Sequence, residues 1–325
     1  MPGMSELMDN LRRFFFPSDA YPIRAKKVRF AYAEKEILKD FNLSVRTSQI
    51  VAVVGMSGSG KSTFLNLVAG VLTATHKGKI SILGRGKGLA KEDIGYVPQE
   101  MAVLPDLSIE ENIRFFGNLN GISSDKALKA GKELMGIMQL NVPLDRKTDE
   151  ISGGQRVRLN IMVSLLHNPH VIIMDEPFVG LDYHNRKLLW HFLEHQRNRH
   201  KTVILTTHML TEAEHHSDRI VLLHQGKIFA KGKMKDIRTK LQTHFILELK
   251  LSYLNKGNVA AISRYCKDKG ISIMDSFNNY MMFSVKSEGQ RGYLLKFLDK
   301  KGLEFKEIGF REPNLDELFL KVRDV

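Results

Sequence analysis

Residues 50–63 read Ile-Val-Ala-Val-Val-Gly-Met-Ser-Gly-Ser-Gly-Lys-Ser-Thr. The first five residues are a short β-branched run of the kind that forms a buried strand. The glycines that follow let the backbone curl until successive N–H groups point inward, and this makes a nest for phosphate oxygens. The stretch therefore predicts a strand, a phosphate-binding loop and a helix whose positive end adds to the nest.

The loop has the spacing Gly55-x-x-x-x-Gly60-Lys61-Ser62. We expect Lys61 to reach the β- and γ-phosphates of a nucleotide, Ser62 to bind Mg²⁺ and Thr63 to contact the α-phosphate. A glycine-rich turn without a ligand is the alternative, which the strand–loop–helix context disfavours. The predicted nucleotide-binding residues of this stretch are Gly55, Ser57, Gly58, Ser59, Gly60, Lys61, Ser62 and Thr63.

A second apolar run ends in two acids, because residues 171–177 read Val-Ile-Ile-Met-Asp-Glu-Pro. In an open α/β sheet, ligands bind at the carboxyl ends of the strands. We therefore expect Asp175 to hold Mg²⁺ and Glu176 to orient or deprotonate an attacking water. An acidic pair that only caps the next helix is the alternative, and the upstream phosphate loop favours the catalytic interpretation.

The composition limits the possible classes of protein. A chain of 325 residues forms one large or two medium domains, and 43% hydrophobic residues can build a core. The net charge of +13, from 49 basic and 36 acidic residues, suits nucleic acid, an anionic membrane surface or polyphosphate, or simply an excess of surface lysine. The single cysteine, Cys266, excludes an intrachain disulfide and fits a reducing cytoplasm. No apolar run approaches the roughly 18–20 residues that span a bilayer, and no secretory signal is visible.

The chain divides into three segments. Residues 1–22 carry apolar residues near helical spacing and predict an amphipathic leader, which packs on the protein or a partner, or alternatively lies on a membrane. Residues 23–240 alternate strands and helices and predict an α/β domain with a largely parallel sheet. Residues 241–325 follow the order βαββαβ plus a helix, which predicts a small α+β, split-βαβ-like domain. We place the boundary between Lys240 and Thr243.

Four further motifs identify a family. The sequence contains Tyr96-Val-Pro-Gln-Glu100, Ile151-Ser-Gly-Gly-Gln155 and Gly180-Leu-Asp182, and His208 follows the run 202–206. Together with the phosphate loop and the acidic pair, these motifs make residues 23–235 resemble the ATP-binding subunit of ABC transporters. The resemblance implies an α/β P-loop NTPase core of the ABC ATPase type with a helical subdomain, followed by the small C-terminal domain.

The resemblance also implies roles for individual residues. Gln99 is expected to contact Mg²⁺ and the attacking water, and His208 to contact the γ-phosphate. Tyr32 is expected to stack on adenine, with Phe30 as the competing candidate. The signature motif is expected to bind the γ-phosphate of ATP held by another copy, and Asp182 to cross the dimer interface. The residues assigned in this way are Tyr32, Ser152, Gly153, Gly154, Gln155 and Asp182 for nucleotide, Glu176, His208 and Gln99 for catalysis, and Ser62, Gln99 and Asp175 for the metal.

The sequence departs from the family pattern at three places. Isoleucine replaces the usual leucine at residue 151, Phe178-Val179 replaces small polar residues, and residues 160–164 lack the usual alanines. None of these changes removes a functional group, so hydrolysis is expected to survive. Glu212, His215 and His216 suggest a metal site at first sight, but a solvated helix face is the better interpretation because no fourth ligand with metal spacing is visible.

Residues 94–121 and 312–319 resemble exporter ATPases that serve drug, polysaccharide and lipid permeases. This implies a subunit that binds ATP and Mg²⁺, pairs with a second copy or a paralogous subunit, and acts on a separate integral-membrane permease. The implied location is cytoplasmic, on the inner face of the cell membrane, and no specific nucleic acid is expected. An importer ATPase and a non-transport ABC ATPase acting on ribosomes or DNA remain alternatives.

Overall fold

The computed structural model of the protein describes residues 20–86, 91–240, 245–315 and 317–318. The chain forms two compact units that divide between Lys233 and Met234. Most of the predicted leader, residues 1–19, lies outside the described residues, and the first strand begins immediately after it at Ile23.

The described residues of the first unit form two sheets. Its described strands, in chain order, are β1 (Ile23–Tyr32), β2 (Lys35–Val45), β3 (Ile50–Gly55), β4 (Lys77–Ile82), β5 (Arg85–Gly86), β6 (Ile94–Val97), β7 (Val171–Met174), β8 (Thr202–Thr207), β9 (Arg219–His224) and β10 (Lys227–Gly232). An antiparallel sheet has the order β2-β1-β4-β5, and a six-stranded sheet has the order β10-β9-β3-β8-β7-β6. In the six-stranded sheet every neighbouring pair is parallel except β9 and β10. The predicted, largely parallel sheet is thus present.

Strands β3, β7 and β8 are buried along their whole length. This agrees with their continuous apolar sequences, because a central parallel strand is covered on both faces. The core between the two sheets includes Phe41 of β2 and Phe64, whose ring centroids lie 4.2 Å apart. The antiparallel sheet is therefore part of the same core that positions the phosphate loop.

The described α-helices of this unit are α1 (Lys61–Ala69), α2 (Ile109–Leu119), α3 (Ser124–Ile137), α4 (Gly153–Val163), α5 (Tyr183–Asn198) and α6 (Leu210–His216). Helices α2, α3 and α4 contact one another and form the expected helical subdomain. Helix α2 begins with a capping box in which Ser108 and Glu111 satisfy each other's backbone N–H groups. Gly117 allows α2 and α3 to approach closely, since a Cβ atom at this position would lie 2.2 Å from Cβ of Ala127.

The described residues of the second unit form a four-stranded sheet with helices around it. Its elements are α7 (Met234–Lys240), β11 (Phe245–Leu251), α8 (Lys256–Lys269), β12 (Ser272–Phe277), β13 (Tyr280–Val285), α9 (Glu288–Lys300) and β14 (Phe305–Arg311). The strands are antiparallel to their neighbours and have the order β12-β13-β11-β14. Residues 315, 317 and 318 of the predicted terminal helix are helical, and its other residues after 315 lie outside the described part of the chain.

Helix α7 lies in the second unit, whereas the sequence analysis placed it at the end of the first. Arg238 explains the difference. Its Nε donates to the carbonyl of Pro313 at 2.8 Å, and its Nη1 lies 2.5 Å from Oε2 of Glu312. These partners are more than seventy residues away in the chain, so a reading of local patterns does not find them.

Candidate nucleotide-binding site

The phosphate loop connects buried strand β3 to helix α1, as the sequence predicts. Gly60 has φ 101°, a left-handed conformation that favours glycine. Gly55 lies so close to its neighbours that a Cβ atom would be 2.5 Å from both the carbonyl oxygen of Leu223 and Oγ of Ser59. The tight curl of the loop therefore depends on these glycines, and it leaves backbone N–H groups available to an anion.

Lys61 is buried, and its ammonium group lies over the loop. Nζ donates to the carbonyl of Gly55 at 2.9 Å and to that of Met56 at 3.3 Å. It also lies 3.9 Å from Oε1 of Glu176. A positive charge is thus held at the point where the strand, the loop and the acidic pair meet.

The two acids after β7 are joined by a hydroxyl that the sequence analysis did not single out. Oγ1 of Thr206 donates to Oδ1 of Asp175 at 2.6 Å and accepts the backbone N–H of Glu176 at 2.8 Å. Oγ of Ser62 donates to the same Asp175 oxygen at 3.0 Å. The signal for Thr206 was a hydroxyl residue at the end of a buried strand, but only the parallel pairing of β7 with β8 shows that it faces the acids.

Glu176 has a left-handed backbone with φ 50°, which is unusual for a residue other than glycine. Its side chain is largely buried between Lys61 and His208, and Oε2 lies 2.9 Å from Nδ1 of His208. Strained backbone of this kind persists where the surrounding contacts hold it, and it often occurs at functional sites. The geometry brings together the proposed base, its histidine partner and the phosphate-loop lysine.

Lys61, Ser62, Glu176 and His208 line one open pocket of about 510 Å³ in the first unit. Of the predicted site residues, the pocket wall contains Gly55, Ser57, Gly58, Gly60, Lys61, Ser62, Thr63, Gln99, Glu176 and His208. Asp175 and Ser59 lie behind this wall, where both are almost fully buried. Most of the predicted catalytic and phosphate-binding residues are therefore placed together.

The chemistry of the pocket suits a polyphosphate and a hard cation. Inward-facing amides and Lys61 suit phosphate oxygens, and the oxygens of Ser62 and Asp175 suit Mg²⁺. Among the residues that the structure describes, no group of three or more His, Cys, Asp or Glu side chains could hold a metal ion. A magnesium ion in a nucleotide site usually takes most of its ligands from phosphate and water. The side chains of Glu212 and His216 contact Arg186, Trp190 and Glu194.

The two candidates for adenine stacking differ in exposure. Tyr32 is 50% exposed, whereas Phe30 is buried in the core and meets Tyr32 edge-on with centroids 4.8 Å apart. Phe30 is therefore unavailable for stacking on a ligand. Tyr32 is accessible at the end of β1 but does not line the pocket.

The signature motif lies outside the pocket of its own chain. Ser152 caps helix α4 and forms a capping box with Gln155. Asp182 caps helix α5 by accepting the backbone N–H of Asn185 at 2.8 Å, and this hydrogen bond lowers the pKa of the Asp182 carboxyl. A Cβ atom at Gly154 would lie 2.9 Å from Nδ2 of Asn185. Asn185, which the sequence did not single out, therefore lies close to the start of α4 while it bonds Asp182 at the start of α5. A Cβ atom at Gly153 would meet open space.

A phosphate loop beside an acidic pair, at the carboxyl ends of parallel strands, defines a P-loop nucleotide hydrolase. The family model for ABC transporters matches residues 38–179. The chain is 30% identical over 310 residues to Nod factor export ATP-binding protein I of Neorhizobium galegae, covering 94% of this chain and 85% of that protein. It is 29% identical over 304 residues to linearmycin resistance ATP-binding protein LnrL of Bacillus subtilis (strain 168), and the match covers 92% of this chain and 97% of that protein. The chain belongs to the ABC transporter family of ATP-binding proteins.

Solved structures agree with this assignment. One is described as an ATP binding subunit of an ABC transporter, with a TM-score of 0.62, 28% identity and coverage of 68% of this chain and 93% of that chain. Another is the dimeric post-hydrolysis state of the ATP-binding cassette MJ0796 bound to ADP and Pi. Its TM-score is 0.59 and its identity 26%, and the match covers 65% of this chain and 98% of that chain. The predicted family, the ABC ATPase fold of the core and the ATP hydrolase activity are confirmed. Within the described parts of the chain, no helix has the length and apolar character needed to cross a membrane.

Proposed function

We propose that this protein is the ATP-hydrolysing subunit of an exporter and that it drives a separate integral-membrane permease. The pocket that combines Lys61, Ser62, Glu176 and His208 is the observation that carries the proposal. The names of the relatives support the exporter over an importer, because two of them are called Nod factor export and linearmycin resistance proteins. The proposed location is the cytoplasmic face of the membrane, where ATP and a permease are both accessible.

In the proposed reaction, the phosphate-loop amides and Lys61 hold the β- and γ-phosphates of ATP. Ser62, Asp175 and Gln99 would hold Mg²⁺, which neutralises charge that develops on the phosphate oxygens. Glu176 orients the attacking water and accepts its proton. His208 contacts the γ-phosphate and, through its 2.9 Å contact, also keeps the carboxylate of Glu176 in place.

A second copy, or a paralogous subunit, completes the proposed site. Ser152, Gly153, Gly154 and Gln155 do not line the pocket of their own chain, although Ser152 opens a helix whose N-terminal N–H groups suit an anion. We therefore assign them to the γ-phosphate of ATP held by the partner subunit, with Asp182 at the interface. Closure of the pair is then a population shift towards the state with contacts to ATP across the gap.

The proposed permease contact is an apolar surface that follows Gln99. Met101 and Leu104 lie on the loop after Gln99, and Phe115 and Leu119 are four residues apart on α2 and so share one helix face. All four side chains are at least 37% exposed. Exposed apolar groups of this kind mark interaction sites, and a short permease helix would cover them.

The test uses Glu176→Gln, which preserves the shape of the side chain but removes the base. We expect this variant to bind MgATP, to form a stable dimer in size-exclusion chromatography and to lose turnover. Its recovery from solubilised membranes together with a polytopic membrane protein would support the transporter proposal. Recovery with ribosomes or nucleic acid only would contradict it.

The matched control is Lys61→Ala, which is expected to weaken nucleotide binding itself. It should therefore form no ATP-dependent dimer and recover no ATP-dependent partner. If Glu176→Gln retained normal turnover, Glu176 would lose its proposed role whatever partner was found.

A further inference from the structure

Three aromatic rings stack behind the proposed catalytic residues, and we call Phe178, Trp190 and His216 the aromatic stack. The centroids of Phe178 and Trp190 are 4.6 Å apart with 26° between the ring planes. Those of Trp190 and His216 are 5.0 Å apart with 15° between the planes. Phe178 and Trp190 are almost completely buried, and His216 is partly exposed.

Each ring belongs to a segment that carries one proposed site residue. Phe178 is two positions after Glu176. Trp190 lies on α5, the helix that Asp182 caps, and His216 is the last residue of α6, which follows His208. The aromatic stack therefore joins the segments that carry the proposed base, the interface aspartate and the γ-phosphate histidine.

A polar contact reinforces these connections from the side. The carboxylate of Glu212 accepts a hydrogen bond from Nε1–H of Trp190 at 3.0 Å and another from Nε–H of Arg186 at 2.8 Å. Arg186 in turn donates from Nη1 to the carbonyl of Leu181 at 3.1 Å, directly before Asp182. Nδ1 of His216 lies 3.1 Å from Oε1 of Glu194 on α5. Glu212 and His216, which resembled metal ligands in the sequence, thus connect α5 with α6.

We propose that the aromatic stack is a positioning element for ATP hydrolysis, which sets the spacing between Glu176, Asp182 and His208. The inference rests on the proposed roles of those three residues. Glu176 has a strained backbone that its surroundings must hold, and Phe178, two residues later, anchors this segment in the buried interior. Stacked rings in a close-packed interior resist displacement, so a shift of one segment is transmitted to the other two. Phe178, Trp190 and His216 do not line the pocket, so they act through their neighbours and are not catalytic residues.

The kinetic test compares Phe178→Leu with Phe192→Leu. Phe192 is equally buried and lies on α5, but it is not part of the aromatic stack. We expect Phe178→Leu to lower kcat about tenfold or more while KM for ATP changes less than about twofold, since the phosphate-loop contacts stay intact. Phe192→Leu is expected to lower Tm to a similar extent with kcat nearly unchanged. Two results would overturn the proposal. One is an equal kcat in the wild type and Phe178→Leu, and the other is a loss of kcat in both variants that is proportional to their loss of Tm.

A conservative replacement separates stacking from simple space filling. His216→Phe keeps a ring against Trp190, whereas His216→Ala removes it. The expected result is near-normal kcat for His216→Phe and a loss of several-fold for His216→Ala, with similar KM values. If both variants had the same kcat, His216 would have no positioning role.

Fluorescence gives a direct readout because Trp190 is the single tryptophan of the chain. In the Glu176→Gln background, MgATP is expected to shift the emission of Trp190, and adding Phe178→Leu is expected to abolish the shift while nucleotide is still retained. An unchanged emission with bound nucleotide would contradict a link between the aromatic stack and the nucleotide state. Retained turnover in Glu176→Gln would instead contradict the proposed function, so the two failures are distinguishable.

Discussion

At the residue scale, the site depends on short polar contacts between segments that are distant in the sequence. Thr206 is the clearest example, because one hydroxyl serves both acids at the end of β7. The hydroxyl is fully buried, so water cannot replace it when it is removed. The proposed magnesium ligand and the proposed base therefore share one support.

We expect Thr206→Val to lower kcat strongly and to reduce stability by about 1–3 kcal/mol, because the N–H of Glu176 loses its acceptor and Oδ1 of Asp175 loses one of its two hydroxyl donors. ATP affinity is expected to change little, since Lys61 and the loop glycines are untouched. Steady-state kinetics and urea unfolding check the two effects. Thr202→Val is the control, as it removes a buried hydroxyl that accepts the N–H of Ser48 at the other end of the same strand. Equal kcat in the two variants would contradict the role of Thr206.

Cys266 is a second prediction at this scale. It packs in the core of the second unit, and burial raises the pKa of its thiol from 9.0 to about 11. The thiolate is the reactive form, so the native protein is expected to react with iodoacetamide at pH 8 far more slowly than the urea-unfolded chain. Mass spectrometry of the labelled cysteine checks this.

The same shift has a consequence for stability. The folded chain keeps its thiol proton between pH 9 and about 11, whereas the unfolded chain loses it. Stability is therefore expected to fall as pH rises through this window, and the Cys266→Ala variant should lack that part of the decline. Rapid native labelling, or an identical pH profile for the variant, would contradict the burial of this thiol.

At the element scale, two buried asparagines fix the loop after Gln99 to the helical subdomain. Oδ1 of Asn160, on the signature helix α4, accepts the N–H of Ala102 at 2.8 Å. Asn112, on α2, accepts the N–H of Leu104 and donates to nearby carbonyls and to Thr148. Asn160 lies where the family usually has small apolar residues, so this departure in the sequence gains a physical explanation.

We expect Asn160→Ala to destabilise the protein by about 0.5–1.5 kcal/mol, because the hydrogen bond between the N–H of Ala102 and this buried side chain is lost. It should also reduce turnover, since the loop after Gln99 is held less firmly against the signature helix. Urea unfolding and an ATPase assay check both effects. Asn120→Ala, an exposed helix-end asparagine, is the control and is expected to change stability by less than about 0.5 kcal/mol. A neutral Asn160→Ala would show that this bond does not hold the loop.

At the scale of the whole molecule, the position of α7 decides how the chain can be divided. Truncation after Lys240 removes Glu312 and Pro313, the partners of Arg238, but keeps the helix. Truncation after Lys233 removes the helix together with its partners. We therefore expect the shorter fragment to be the better folded one and to keep ATP binding.

Nucleotide-binding titrations and thermal unfolding of the two fragments check this expectation. A longer fragment that is clearly the more stable would favour the boundary between Lys240 and Thr243 that the sequence pattern suggests. Loss of nucleotide binding in both fragments would show that the first unit depends on the second.

Local patterns in the sequence were enough to predict the phosphate loop, the acidic pair and the class of fold. The glycine spacing, the buried strand and the following helix all lie within about twenty residues. Each of these patterns predicts the local backbone conformation directly. The same is true of the βαββαβ order in the C-terminal part, where strand and helix periodicities alternate clearly. These features depend on the residues themselves and on their immediate neighbours.

Only the tertiary structure showed the contacts of Thr206, of Asn185 and of the aromatic stack, and the membership of α7 in the second unit. Each depends on a contact between segments that are brought together by sheet pairing or helix packing. The register of β7 against β8 places Thr206 beside Asp175, and the packing of α5 and α6 places Trp190 beside His216. Periodicity reports which face of an element is buried, but it does not report which partner covers that face.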